Sequence, residues 1–194
     1  MRQAGTRELF AYWEHLRGER SAPERSEIDL AAIRGQLGDL FMLEADARFS
    51  FLTSGSRVNA LFCGEQKSRS FLDLWPLQNM HNMSAVLSTV VDAACPAIVE
   101  AEARPQGYAK IELEILLLPL RHGSEMQRIL GLISMAFRPT WLGLLPAEQL
   151  TLRSVHAVNA TAAPEMAVRF ANFAPPPRPG AERRSYLRLI EGGR

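Results

Sequence analysis

The chain has 194 residues, 47% of them hydrophobic, which allows one domain of ordinary size with extensions around a real core. With 22 basic and 21 acidic residues its formal charge is +1, which excludes a global electrostatic footprint for nucleic acid or for an anionic membrane. The two cysteines, Cys63 and Cys95, have no metal-type spacing and no C-x-x-C. The N-terminal twenty or so residues are broken by charges, unlike a secretory leader. The longest apolar run, residues 115–120, is too short to span a bilayer. A cytoplasmic protein without membrane insertion is expected.

In chain order, Thr6 is the expected cap of a first helix running to about Arg17, with Leu9, Trp13 and Leu16 at i, i+4 and i+7 and Tyr12 beside them. A helix of this length is not stable alone, so the stripe must pack on the domain or on a second copy. Both readings stay open, and Leu9, Tyr12, Trp13 and Leu16 are the candidate interface of a homodimer. Ser26 and Asp29 resemble a capping box ahead of a short helix with Leu30 and Ile33.

Residues 40–45 and 49–53 read as two strands of a hairpin, joined through Asp46, Ala47 and Arg48, with Phe49 and Phe51 on one face. Ser56 starts a short helix through Leu61, and residues 70–75 form a second helical turn stopped by Pro76. The clearest helix follows. Met83, Val86, Leu87, Val90, Val91 and Ala94 make one continuous stripe, with Asn79 or Asn82 as the expected cap and Pro96 as the end.

Residues 97–103 and 109–118 read as strands. In the second, Ile111, Leu113 and Ile115 alternate with Glu112 and Glu114, and the leucines before Pro119 lose the alternation, which predicts burial on both faces. Glu112 and Glu114 read as a solvent-facing or interface pair. A turn over 121–126 leads to a strand over 127–137, with Gly131 as a point of close approach or a bulge. Beyond Pro146, Leu150, Leu152, Val155 and Val158 fit neither period. Residues 174–184 read as a proline-rich linker carrying Arg178, Arg183 and Arg184, and residues 186–190 alternate weakly, like an edge strand.

The motifs G-S-R-V-N-A-L-F (55–62), S-F-L-D-L-W (70–75) and L-L-L-P-L-R-H (116–122), with E-L-F-A-Y-W-E-H-L-R-G (8–18), S-E-I-D (26–29) and the closing E-G-G-R (191–194), together resemble a family of stand-alone bacterial PAS-like proteins. The resemblance covers nearly the whole chain. It implies an α+β fold: a five-stranded antiparallel sheet, short helices, one long helix on one face, and an N-terminal helical extension. It divides the chain into that extension (1–36), a PAS-like core (37–140), a C-terminal extension (141–173) and the tail (174–194). Where that family tends to carry glycines, this chain has Cys63 and Ser68, which implies a differently built turn.

The resemblance implies a sensory or regulatory protein acting in signal transduction through contact with a signalling protein, and it carries no catalytic residues. A fold of this kind can hold a small apolar ligand between sheet and long helix. The inward candidates are Phe41, Phe51, Phe62, Trp75, Val86, Val90, Ile115 and Ile133, and the plainer reading is that they fill the core. A ligand-free dimerisation module is the alternative, and a small enzyme with an unlisted site is a second one. No cofactor is expected. His81 stands where a haem ligand could sit but reads as a surface histidine. The reactive-cysteine motif of flavin photosensors is absent, because Ala60 follows Asn59. His122 and His156 have no partners in the sequence, and no nucleotide, hydrolase or zinc motif occurs.

Overall fold

The computed structural model describes residues 1–123 and 125–158. The proline-rich linker with its arginines and the strand-like stretch 186–190 lie outside the described residues. The elements in order are α1 (Ala4–Arg17), a 3-10 turn (Arg25–Glu27), β1 (Leu40–Glu44), β2 (Phe51–Ser54), α2 (Ser56–Leu61), a second 3-10 turn (Phe71–Leu74), α3 (Leu77–Asp92), β3 (Ala97–Ala103), β4 (Ile111–His122), β5 (Glu125–Met135) and β6 (Thr151–Ala157). The strands form one antiparallel sheet in the order β2-β1-β5-β4-β3-β6.

The sheet therefore has six strands, not five. The sixth comes from the segment that fits neither period. β6 pairs with β3 through an irregularity between Glu100 and Ala101. That extra residue lets Leu152 and Val155, three positions apart, both enter the core beside α3. An alternation test cannot see a strand whose register slips in the middle.

Side chains on the inner strands alternate between two separate cores. Phe41 and Leu43, Val99 and Ala101, Ile111, Leu113 and Ile115, and Ile129 and Ile133 face α3. Leu40 and Met42, Ile98, Leu116, Leu118 and Leu120, and Leu130 and Leu132 face α1. The run of leucines in β4 is apolar at every position because a helix lies over each face of the sheet, as its lost alternation predicts.

Several local expectations are corrected by tertiary partners. β4 does not stop at Pro119 but continues to His122, with Pro119 paired to Ile129 of β5. β3 has already ended, its last pair being Ala97 with Leu117. The missing N–H of Pro119 thus costs no bond to β3. The turn after β4 is correspondingly shorter, since Arg121 pairs with Met126 and His122 with Glu125. β2 begins at Phe51, because Phe49 adopts a φ of 48°. α3 begins at Leu77 with Pro76 as its N-cap, not at Asn79 or Asn82. The capping box near the first 3-10 turn is Glu24 with Glu27, whose carboxylate accepts from the Glu24 N–H at 2.6 Å. Asp29 instead accepts from the Ala31 N–H at 2.9 Å, and Leu30 and Ile33 lie in turns. Thr6 lies inside α1, where its hydroxyl meets that of Ser134 at 3.0 Å, and the N-cap is Gln3.

Candidate functional site

Seven of the eight inward candidates meet in one place. Phe41, Phe51, Trp75, Val86, Val90, Ile115 and Ile133 are all buried in the core between α3 and the sheet. Phe62 is half-buried and packs on the outside of that core. Phe71, a residue outside the candidate set, ties the group together. Its ring lies 5.4 Å from Phe41, 5.8 Å from Phe51 and 6.0 Å from Trp75, and Phe41 meets Phe51 edge-on at 5.5 Å. Each such pair adds about 0.5–1.5 kcal/mol beyond area burial. Phe71 follows a serine cap, since the Ser70 hydroxyl accepts from the Leu72 N–H at 3.2 Å and donates to the Arg48 carbonyl. The motif S-F-L-D-L-W therefore places two aromatic rings in the core and anchors their turn to the β1–β2 connection.

One polar atom in this core has no partner. The indole N–H of Trp75 is buried and donates to no acceptor among the described residues, whereas the Trp75 carbonyl accepts from Gln149 at 3.3 Å. Gln149 also lines a polar cleft of about 840 Å³ at the end of the sheet, with Glu102, Arg104 and Lys110. There Glu102 pairs with Lys110 at 2.6 Å and with Arg153 at 3.4 Å. None of the inward candidates lines this cleft.

On the opposite face, the stripe of α1 is spent within the chain. Leu9 and Trp13 are 0% and 1% exposed. The indole N–H of Trp13 donates to the Pro119 carbonyl at 2.9 Å, and the Arg17 guanidinium lies over the same ring. Tyr12 and Leu16 are half-buried at the margin, with the Tyr12 hydroxyl accepting from the Asp29 N–H at 2.8 Å. A second copy can reach Leu9 and Trp13 only where α1 leaves its own sheet.

Glu112 and Glu114 do not form a pair alike in setting. Glu112 is exposed, while Glu114 is 4% exposed beneath the start of α1. Its two carboxylate oxygens accept the backbone N–H groups of Arg2 at 2.6 Å and Gln3 at 3.0 Å. Burial pushes its pKa up, but these bonds and one from the Thr6 hydroxyl outweigh burial and hold it below its ordinary value. No local pattern marks this residue, because its partners lie more than a hundred positions away in sequence.

Cys63 and Ser68 both hold left-handed conformations, with φ of 48° and 66°. Both positions take a conformation that glycine adopts freely, here with L-residues in place, at an energetic cost. Cys63 is exposed and Cys95 half-buried, and burial pushes the Cys95 thiol up. His81 is exposed on α3. Among the described residues, no helix is long and apolar enough to cross a membrane.

A PAS domain family model matches residues 1–134, so this chain belongs to the PAS domain family. Domains of this family serve in general as sensory and regulatory modules and not as catalysts. β6 lies beyond the matched residues and adds a strand to the β3 edge. Comparison with curated proteins and with solved structures gave no match.

Proposed function

We propose that this chain is a regulatory PAS module that works through protein contact, with α1 and the sheet face beneath it as the contact surface. The observation that carries this reading is the ring-to-ring packing of Phe41, Phe51, Phe71 and Trp75 where a ligand would be held. Side chains already in mutual contact must be parted before a guest can enter, and close-packed cores resist such parting. A cytoplasmic location belongs to the proposal, supported by two free cysteines that a reducing compartment would keep so. Native mass spectrometry of the purified protein tests the reading. The bare polypeptide mass, with no thermal shift across a metabolite panel, is expected; a retained small molecule would overturn it.

A second reading, a sensor of a small apolar ligand bearing one hydrogen-bond acceptor, is favoured by the unpartnered indole N–H of Trp75. A buried donor without a partner costs about 1–3 kcal/mol. Trp75→Phe separates the two readings. A ligand held by that N–H is lost from the variant, whereas a ligand-free core keeps its bare polypeptide mass and loses only the packing that the smaller ring gives up.

A further inference from the structure

β6 stands at one end of the sheet, and among the described residues no strand pairs with its outer side. Its register with β3 is regular from Ala97 with Ala157 to Glu100 with Ser154, and the Val158 N–H donates to the Pro96 carbonyl at 2.9 Å. Backbone groups alternate sides along a strand, so those of Val155 and Ala157 point away from β3. Leu152 and Val155 are taken by the α3 core. The other side chains of the strand are polar. Arg153 reaches Glu102 at 3.4 Å, the Ser154 hydroxyl donates to Glu100 at 2.7 Å, and the His156 ring meets that hydroxyl at 2.9 Å. At the head of the strand, Thr151 lines the cleft of about 840 Å³. Positive charge is in surplus along this edge. Lys110 and Arg153 share a single oxygen of Glu102. Arg104 and Glu148 adjoin in the cleft, the Glu148 N–H donating to the Arg104 carbonyl at 3.0 Å, yet neither side chain forms an ion pair among the described residues.

We propose that the β6 edge is a docking site for an extended, acidic segment of a partner protein, which adds a further strand to the sheet and sets its carboxylates beside Arg153 and, in the cleft, Arg104. This goes beyond contact through α1 and uses a separate surface. It also lies outside the residues that match the family, since β6 follows them. Strand addition draws its affinity from main-chain hydrogen bonds and its specificity from alternate side chains. Every second side chain of such a guest falls on the Arg153 face, so acidic residues at alternate positions are the ones that fit. From Thr151 to Ala157 the strand offers about 20 Å, enough for an extended guest of about seven residues. A second copy of this chain is a poor guest. Antiparallel pairing of two β6 strands about Ser154 would place the two Arg153 side chains on one face at diagonal positions, where like charges oppose each other.

The probes are two fluorescent octapeptides with blocked ends, one alternating Glu with Thr and one alternating Lys with Thr. Binding to the full-length chain is read by fluorescence anisotropy, and hydrogen exchange is read on β6 with and without peptide. The Val155 and Ala157 amides are expected to exchange freely in the protein alone and to be protected by the acidic peptide, while the lysine peptide does not bind. Affinity for the acidic peptide should fall about two- to fivefold in Arg153→Gln and in Arg104→Gln, and should fall with added salt. An acidic peptide with two adjacent prolines at its centre lacks a ladder N–H whichever way it faces, and should lose binding. The proposal is overturned if the acidic peptide fails to bind at millimolar concentration, if the lysine peptide binds as well, or if the proline peptide binds unimpaired. It is also overturned if the two amides are protected in the protein alone. Protection that grows with protein concentration assigns the edge to a second copy, and protection at every concentration assigns it to the chain beyond residue 158. A failed peptide leaves contact through α1 standing, and a retained small molecule ends that reading without touching the β6 edge.

Discussion

Phe41 and Gly131 face each other across β1 and β5, and the Phe41 ring lies where a side chain on residue 131 would be. A Cβ built on Gly131 would stand 2.0 Å from the Phe41 ring. The close approach expected of this glycine is real, and its occupant is the ring that stacks on Phe71. Gly131→Ala is therefore predicted to displace Phe41 and cost about 1–3 kcal/mol or more in urea unfolding. Phe41→Leu in the same chain should recover part of that loss, giving a favourable coupling in a double-mutant cycle. Purely additive costs would mean that the two groups do not compete for one space.

The Trp13 indole makes a test of a different kind. Trp13→Phe keeps an aromatic ring under α1 but leaves the Pro119 carbonyl without its donor. A loss of about 1–3 kcal/mol is expected. Trp13→Ala adds a cavity and should lose about 3–5 kcal/mol. Equal effects for the two variants would show that the ring's packing carries little, and no loss in Trp13→Phe would show that the hydrogen bond carries little.

Cys63 and Ser68 offer substitutions that stabilise. A left-handed conformation costs an L-residue about 1–2 kcal/mol, and glycine avoids this while losing about 0.5–1 kcal/mol in chain entropy. Cys63→Gly and Ser68→Gly are each predicted to raise the melting temperature, by a net gain of about 0.5–1 kcal/mol. A lower melting temperature in both would mean that their side chains contribute more than the backbone strain costs.

Stability should depend on Glu114 in a defined direction with pH. Its folded pKa lies below the ordinary 4.5, so its contribution is complete above that ordinary value and is lost as pH falls through the folded pKa. The stability gap between wild type and Glu114→Gln should be constant near neutrality and should shrink in acid. Asp46, Glu27 and Glu100 are also held below their ordinary values, so the variant keeps an acid limb of its own. A gap that widens in acid would contradict the buried hydrogen-bonded carboxylate.

The parts of this fold that are legible in the sequence are those governed by local periodicity. The stripe from Met83 to Val90 marks α3, the alternation of Ile111, Leu113 and Ile115 with their neighbours marks the start of β4, and Ser56 to Leu61 marks α2. What is hidden depends on partners distant in sequence. Thr6 reads as a cap because nothing nearby shows that Glu114 receives the N–H groups at the start of α1. Pro119 reads as an end because nothing nearby shows where β3 stops. Of the candidate site, the aromatic and aliphatic members are legible as inward residues. Phe71, which joins three of the rings, sits on a 3-10 turn too short to carry a period.

The far end of β4 has a consequence for solubility. Past Leu117 the strand has no β3 neighbour, and a bare row of backbone groups in a long central strand invites strands of other molecules. Here that row is already taken. Pro119 has no N–H to offer, its carbonyl is held by Trp13, and the Arg121 N–H is held by Pro23. The protein thus closes its most hydrophobic strand against fibril-like stacking with one imino acid, one indole and one turn of its own chain.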